Sequence, residues 1–335
     1  MFETLLNYLI NGSIVMVIFL SLLMGAFTFF TSRALLFFPW WRHIIIGEGN
    51  PLTHHSLKFD NIEFKAFDSD HKIRGWWIPA KPDNDLHYTI IVVHGSGRDK
   101  YQYFDQIKIY NQVGLNVFIF DCRDGLGDID QVGRGLGYSL REHKDVRAAI
   151  RVVRSDYPQQ SKKIILTGMS MGAGSVLVAA GKDRDLIDGV IAEASYMHPR
   201  AAWSHNIYKN LREGVKAFKP VERFQAILPT NPPQMLIDIV TGFTMIKLLF
   251  SESNLSARDV PIEMIEKISP KPLLIIHSTA DPVVPYSHAV QLYKAAKEPK
   301  ELWTIDNEKP LHMPASDNVP PEEYQQRLVS FISKL

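Results

Sequence analysis

The sequence of 335 residues predicts an α/β domain built on a mostly parallel sheet with helices on both faces. One observation is a series of short apolar, β-branched runs, as expected of strands that are buried on both sides. A second is that the intervening segments, such as Glu142–Tyr157, are long enough for crossover helices. The runs are 88–93, 116–120, 163–167, 189–192 and 272–276.

A third observation is the pentapeptide Gly168–Gly172, which follows the run 163–167 and precedes a small, apolar segment, 173–180. A Gly-x-Ser-x-Gly between a strand and a helix is the pattern of a nucleophile elbow, a sharp turn that exposes its serine at the end of the strand. Small flanking residues are required because strand and helix cross closely there. Ser170 is therefore the candidate nucleophile.

The two ends of this domain are predicted from simpler patterns. Residues 58–67 and 72–79 alternate between apolar and polar side chains around a turn at Asp68–Asp70, which predicts an antiparallel hairpin. At the other end, 301–305 has the pattern of a last strand, and 322–335 that of an amphipathic helix.

The N-terminus predicts a membrane anchor. No charged residue occurs from Ile14 to Phe30, and with the residues back to Leu5 the stretch can cross a bilayer as one helix. Trp40 and Trp41, close to arginines, are typical of a membrane interface. The alternative is a cleaved signal peptide, which normally has a basic start and a small-x-small cleavage site. We expect an uncleaved anchor over residues 1–43, followed by a hydrolase-type domain over 44–335.

The orientation follows from the positive-inside rule. No Lys or Arg precedes the apolar stretch, whereas Arg33 and Arg42 follow it closely. Positive charges near the end of a span favour the cytoplasmic side. The rule therefore places the C-terminal body in the cytoplasm.

A long insertion interrupts the alternation of strands and helices. It covers about 199–268, far more than a connecting helix requires. Its most apolar part is Met235–Phe250, in which Asp238 and Lys247 argue against a second membrane span. The insertion is predicted to be a helical lid over the carboxyl edge of the sheet, where such folds bind ligands. A packed helical insertion with no gating role is the alternative.

Composition excludes several functional classes. The 37 basic and 36 acidic residues nearly balance, and no basic run is present, which argues against a nucleic-acid partner. The single cysteine, Cys122, excludes an internal disulfide framework and a cysteine-cluster metal site. It follows an apolar run and is predicted to be a passive core residue.

A serine nucleophile needs a base, and the base needs an orienting acid. Asp281 follows the strand 272–276, and His312 follows the strand 301–305. The order Ser, Asp, His, each just past a strand, is that of one serine-hydrolase fold and differs from the orders in others. Ser170, Asp281 and His312 are therefore the predicted catalytic residues. Other candidates exist: Glu193 at a strand end for the acid, and His198, His205, His277 and His288 among the twelve histidines.

The negative charge that develops on the attacked carbonyl needs preorganised N–H groups. One would come from Met171, directly after the nucleophile. The other would come from Ser96, which lies between two glycines after the strand 88–93. His94-Gly95 has alternative interpretations as a metal or phosphate feature, but no ligand cluster or Walker lysine accompanies it. No metal and no organic cofactor is predicted.

These motifs, taken together, resemble those of the membrane-anchored α/β-hydrolases of the YfhR/ABHD type. The similarity covers nearly the whole chain, through the segments Ile73–Pro79, His94-Gly95, Gly168–Gly172, Pro272–Pro285, Leu292-Tyr293 and Ala296–Lys300. The resemblance implies the α/β-hydrolase fold, with Ser170, Asp281 and His312 as nucleophile, acid and base. It also implies that Ser96 and Met171 form the oxyanion hole.

The hypothesis is a membrane-anchored serine hydrolase that cleaves carboxylic ester or thioester bonds of lipid-derived or small acyl substrates. An amide-cleaving peptidase with the same residues is one alternative. A non-catalytic protein that retains the fold is another.

Overall fold

The computed structural model describes residues 2–37, 48–123, 135–217, 231–252, 254–306 and 312–335. The described strands form one eight-stranded sheet. They are β1 (Asp60–Lys65), β2 (Lys72–Ile78), β3 (Tyr88–Val93), β4 (Leu115–Phe120), β5 (Lys163–Met169), β6 (Gly189–Glu193), β7 (Leu273–Ser278) and β8 (Lys300–Ile305).

The strands lie in the order β1-β2-β4-β3-β5-β6-β7-β8. β1 and β2 form the predicted hairpin, and β2 is antiparallel to β4. All pairs from β4 to β8 are parallel. The predicted mostly parallel sheet is therefore confirmed. Because parallel strands end at the same edge, residues after β3, β5, β7 and β8 are placed near one another.

Helices fill the connections between the strands. They are α1 (Phe2–Phe37), α2 (Pro51–His55), α3 (Phe104–Gln112), α4 (Glu142–Asp156), α5 (Met171–Lys182), α6 (Pro199–Ala217), α7 (Gln234–Leu249), α8 (Pro261–Met264), α9 (Ser287–Ala295) and α10 (Pro321–Ile332). Short 3₁₀ turns occur at Lys100–Gln102, Arg184–Leu186, Ile265–Ile268 and Ala315–Asp317.

The helices cover both faces of the sheet. In β3, Ile91 and Val93 face one core with residues of α4 and α5. Ile90 and Val92 face the other core, together with residues of α3 and α10. Successive strand residues point to opposite faces, so a strand buried on both sides must be apolar throughout. Cys122 is fully buried in the first core.

The insertion between β6 and β7 contains α6, α7 and α8, and residues 218–230 lie outside the described part. The predicted apolar stretch forms α7. Its buried face includes Val240 and Leu248, which share a third core with Trp203 of α6 and Leu36 of α1. The insertion is thus attached to the end of the N-terminal helix as well as to the domain.

Among the described helices, one is long and apolar enough to cross a membrane, over Asn11–Phe37 with a mean hydropathy of 2.4. Its residues from Ile14 to Leu23 are largely exposed. Its end packs on the domain, where the Leu36 carbonyl accepts a hydrogen bond from the Leu136 N–H at 2.7 Å. Trp40, Trp41, Arg42 and His43 lie outside the described residues.

Candidate active site

Ser170 lies at the turn between β5 and α5. Its backbone has φ 55° and ψ −115°, and residues other than glycine rarely adopt a positive φ. Such a conformation costs about 1–3 kcal/mol and persists only where the surroundings enforce it. Here the Ser170 N–H donates to the Glu193 carbonyl at 2.8 Å. The elbow thus holds the serine at the carboxyl edge of the sheet, with 7% of its surface exposed.

The two glycines of the elbow are required by close backbone contacts. A Cβ on Gly168 would lie 2.6 Å from the Gly172 carbonyl carbon. A Cβ on Gly172 would lie 2.1 Å from the Val93 carbonyl oxygen. Both obstacles are backbone atoms, which cannot move as a flexible side chain can. The Gly-x-Ser-x-Gly pattern therefore reflects the crossing of β5 and α5 beside β3.

Substituting Gly172→Ala should destabilise the fold, because the new methyl group must displace the end of β3. We expect a loss of at least about 1–3 kcal/mol of unfolding free energy, the usual cost of overpacking. Gly242→Ala in α7 is the matched control, since its Cβ would meet only Arg200 Nη2 at 3.8 Å. Thermal denaturation should show a lower melting temperature for Gly172→Ala and an equal or higher one for Gly242→Ala. Equal melting temperatures would contradict the packing described here.

Asp281 and His312 form a hydrogen-bonded pair beyond β7 and β8. His312 Nδ1 lies 2.7 Å from Asp281 Oδ2. A carboxylate can only accept, so Nδ1 carries the proton and Nε2 of the neutral ring is left as an acceptor. The remaining oxygen, Asp281 Oδ1, accepts the N–H groups of Val283 and Val284 at 2.8 and 2.9 Å. The acid is thereby fixed in orientation.

These contacts also set the charge of Asp281. Its burial tends to raise the pKa, but the hydrogen bonds with His312 and with the two N–H groups outweigh burial. The pKa of Asp281 therefore lies below its ordinary value. The residue is a carboxylate at neutral pH, as the acceptor of a histidine N–H must be.

The Ser170 hydroxyl makes no hydrogen bond with His312 in the described part of the structure. Glu193 contacts Ser170 and the segment after His312: its carbonyl accepts the Ser170 N–H, and its side chain accepts the Ala315 N–H at 2.8 Å. Serine–histidine bonds in sites without substrate are often long and shorten on binding. The structure joins two of the three predicted residues directly and places the third at the same edge.

The other histidines are held by different contacts. His277 Nε2 donates to the Val284 carbonyl at 2.8 Å, and burial lowers the pKa of His277. His288 accepts the Met197 N–H, and burial lowers its pKa to about 4. His205 lies 3.3 Å from the Pro282 carbonyl, and His198 accepts the Arg200 N–H. Among the described histidines these four are thus committed to backbone groups near the site.

Glu193, the alternative acid, is committed elsewhere. Its Oε1 accepts the Tyr324 hydroxyl at 2.7 Å and its Oε2 accepts the Ala315 N–H. Burial raises the pKa of Glu193, against the lowering effect of these two bonds. The Glu193 side chain thus joins α10 and the segment after His312 to β6, and the Glu193 carbonyl accepts the Ser170 N–H.

The predicted oxyanion residues lie on either side of Ser170. Met171 is the first residue of α5, so its N–H has no acceptor within the helix. A Cβ on Gly95 would lie 3.5 Å from Ser170 Cβ, which brings the loop after β3 against the nucleophile. The Gly95 N–H donates to the Tyr103 hydroxyl at 3.1 Å and is thus occupied. Ser96, the next residue, is half-buried in the turn closed by Arg98 N–H on the Gly95 carbonyl.

Two supporting residues were missed in the sequence, His94 in this role and Tyr103 altogether. His94 Nε2 accepts the Cys122 N–H at 2.8 Å, and its Nδ1 lies 2.9 Å from the Gly95 carbonyl. Together with Tyr103 it fixes the loop that carries Ser96. Tyr103 is eight residues from Gly95 and no local pattern signals the contact. Within the described residues no group of three or more His, Cys, Asp or Glu is arranged to hold a metal.

Comparison with known proteins supports the fold. Residues 84–241 match the family model described as serine aminopeptidase, S33. The structure superposes on the Pyrococcus furiosus esterase Pf2001 with a TM-score of 0.60 at 23% identity, covering 87% of this chain and 95% of that one. The chain has the α/β-hydrolase fold. The chain is also 26% identical to YfhR of Escherichia coli K12 over 276 residues, 82% of this chain and 80% of YfhR.

A further relative of this α/β-hydrolase is the membrane protein YNL320W of Saccharomyces cerevisiae. It is 31% identical over 132 residues, which are 39% of this chain and 44% of the yeast protein.

Because burial raises the pKa of Glu193, the folded α/β-hydrolase favours its protonated form. This stabilisation is fully present below the ordinary pKa and is lost as pH rises through the raised pKa. Glu193→Gln, a neutral isostere, should remove the dependence. Between about pH 5 and about pH 8, wild-type unfolding free energy should fall relative to that of Glu193→Gln. Denaturant titrations at both pH values measure the unfolding free energies. A wild-type minus Glu193→Gln difference that is the same at both pH values would contradict the raised pKa of Glu193.

Proposed function

We propose that this α/β-hydrolase is a membrane-anchored serine hydrolase that cleaves carboxylic ester or thioester bonds of lipid-derived or small acyl substrates. The observation that carries the proposal is the Asp281–His312 hydrogen bond of 2.7 Å, at the same sheet edge as the strained Ser170. It fixes the histidine tautomer that leaves Nε2 free to take a proton. In an isolated surface histidine no partner fixes which ring nitrogen accepts the proton.

In the proposed reaction, His312 Nε2 takes the Ser170 hydroxyl proton while Oγ attacks the carbonyl carbon. The C=O π bond becomes an oxyanion, and the imidazolium is stabilised by the ionised Asp281. The tetrahedral intermediate collapses, the bond to the leaving oxygen or sulfur breaks, and His312 gives its proton to that atom. Water then repeats the two steps on the acyl-enzyme, which releases the acid and restores Ser170.

The oxyanion is proposed to accept the N–H groups of Met171 and Ser96. The Gly95 N–H is excluded because it donates to Tyr103. Each such donor is expected to lower the activation barrier by about 3 kcal/mol, by analogy with measured donor deletions. Neither step requires a metal or an organic cofactor.

An apolar acyl group is favoured by an apolar groove whose residue Ile207 shares the third core with Met171, the neighbour of Ser170. A groove of about 360 Å³ lies between the end of α1 and α6. Phe27 and Phe30 of α1 and Ile207 and Leu211 of α6 are among the residues that line it. A predominantly hydrophobic lining is typical of a site for a hydrocarbon chain. We propose that the α6–α7 insertion acts as the lid of this site.

The proposed location is the membrane, with α1 as a single-pass anchor and the hydrolase domain on the cytoplasmic side. The anchor is supported by the apolar, exposed part of α1, and the orientation by Arg33 and Arg42 after the span. A C-terminal reporter that is active only in the periplasm or lumen should remain inactive. An active reporter would overturn the orientation.

A second candidate function is amide cleavage on small peptides, favoured by the match to a serine aminopeptidase family model. The same three residues serve either reaction, but an amine is a poorer leaving group. A panel of p-nitrophenyl esters of graded chain length and matched p-nitroanilides distinguishes the two. We expect hydrolysis of the esters, with no turnover by Ser170→Ala. Faster turnover of the anilides would favour the peptidase, and no turnover of either substrate would favour a non-catalytic protein.

A further inference from the structure

One face of α7 presents an apolar stripe to the outside of the molecule. Its residues are between 39% and 87% exposed, although all are large and hydrophobic. They recur at intervals of three and four, so at 100° per residue they lie within an arc of about 80°. We call this set the α7 stripe: Met235, Ile239, Phe243, Ile246 and Phe250, which directly follows the helix.

The opposite face of α7 is also apolar, since Ile237, Val240 and Leu248 are buried against the domain. A helix on the surface of a soluble domain normally carries polar residues on its outer face. When the outer face of a surface helix is apolar as well, that face is expected to contact another apolar surface outside the domain. A row of five exposed hydrophobic side chains likewise marks an interaction site rather than ordinary surface.

The position of the α7 stripe indicates what covers it. Lys247, adjacent to Ile246, places its Nζ 5.1 Å from the ring centroid of Phe29 in α1. Phe29 and Phe30 are the last exposed large hydrophobic residues of the candidate membrane span, at 48% and 67%. Beyond them, Ser32 and Leu36 are buried against the domain. The C-terminal end of the stripe therefore lies beside the point where the exposed apolar segment of α1 ends.

The length of α7 distinguishes a helix that crosses the bilayer from one that lies along its surface. Its 16 residues extend about 24 Å, less than the roughly 30 Å of a hydrocarbon core. Lys247 at its end beside Arg33 suits the headgroup region of an anionic leaflet. An amphipathic contact of this kind reaches about 5–10 Å into the boundary between headgroups and acyl chains.

We propose that the α7 stripe is a second membrane-contact surface, embedded in the interface of the same bilayer that α1 spans. The partner is the lipid bilayer itself. The insertion then holds the domain against the membrane at a second point besides α1. The inference rests on the proposed anchoring by α1 but not on hydrolytic activity.

The test introduces one cysteine at a time into the full chain, because the native Cys122 is fully buried and should remain unlabelled. Phe243→Cys and Ile246→Cys report on the stripe, and Leu22→Cys reports on the centre of the α1 span. Val329→Cys on α10 is the matched control, an apolar residue that is 51% exposed outside the stripe. Each variant is labelled with the fluorophore NBD and reconstituted in phosphatidylcholine–phosphatidylglycerol vesicles, with or without lipids brominated on the acyl chain.

Both stripe positions should show blue-shifted emission and strong quenching by lipids brominated near the headgroup, and little quenching by aqueous iodide. Leu22 should be quenched best by deeply brominated lipids, and Val329 by iodide alone. Quenching of Phe243 and Ile246 by iodide with Leu22 still in lipid would overturn the inference while leaving the anchor in place. Protection from both quenchers would mean that another protein surface covers the stripe, which also overturns it. Loss of lipid quenching at Leu22 would refute the anchor itself.

Discussion

Ser170→Ala should abolish hydrolysis of p-nitrophenyl esters while leaving the protein folded. The change removes the only atom that forms the acyl-enzyme, and loss of a nucleophile in a catalytic triad lowers kcat by about 10⁶-fold. The effect is expected in kcat rather than in KM, since Oγ acts in bond formation and not in substrate binding. Initial rates over a range of ester concentrations, in detergent or vesicles, measure both constants.

Two controls separate chemistry from folding. Ser170→Gly should be equally inactive but have a higher melting temperature, because glycine adopts φ 55° without the strain of a side chain. The double variant Ser170→Ala with His312→Ala should be no slower than Ser170→Ala alone, since residues that act as a unit are not additive. Residual activity of Ser170→Ala that falls further on removal of His312 would assign the nucleophile to another residue.

Asp281→Asn should cause the second largest loss, about 10⁴-fold in kcat, as expected when the acid of a triad becomes an amide. The amide N–H can donate a hydrogen bond to His312 Nδ1, which favours the tautomer with the proton on Nε2. That nitrogen can then no longer take the proton of Ser170. Steady-state kinetics at several pH values should show the loss throughout the neutral range, because the pKa of Asp281 lies below its ordinary value.

The matched control is Glu193→Gln, the same chemical change at the alternative acid. It should retain activity at neutral pH, because Glu193 contacts Tyr324 and Ala315 rather than a histidine that is free to act as base. A loss at Glu193→Gln that equals the loss at Asp281→Asn would transfer the role of the acid to Glu193. Circular dichroism of both variants verifies that neither is unfolded.

Much of the fold could be predicted from local pattern. The runs that form β3 to β7 are apolar because both sides of each strand are covered, and this leaves a direct mark on the sequence. The elbow is similar, since the close approach of Gly172 to Val93 allows no side chain. The proximity of Asp281 and His312 could be predicted because each follows a strand and parallel strands end at one edge.

Other parts depend on contacts between distant residues. The Gly95 N–H donates a hydrogen bond to the Tyr103 hydroxyl, and no periodic pattern in the sequence predicts this contact. The raised pKa of Glu193 comes from burial under α10, which the sequence around Glu193 does not indicate. In the same way, Met235–Phe250 was recognised as apolar from its sequence. Only the packing of α7 on α1 separates the buried residues from those of the α7 stripe.

The central claim is that Ser170 is an activated nucleophile, and labelling with a fluorophosphonate probe tests it most directly. The probe phosphonylates an activated serine in proportion to its reactivity, whatever the natural substrate. We predict one adduct, mapped by mass spectrometry to Ser170, which is absent in Ser170→Ala and forms much more slowly in Asp281→Asn. Failure of the folded wild-type protein to react, or an adduct that persists in Ser170→Ala, would contradict the account.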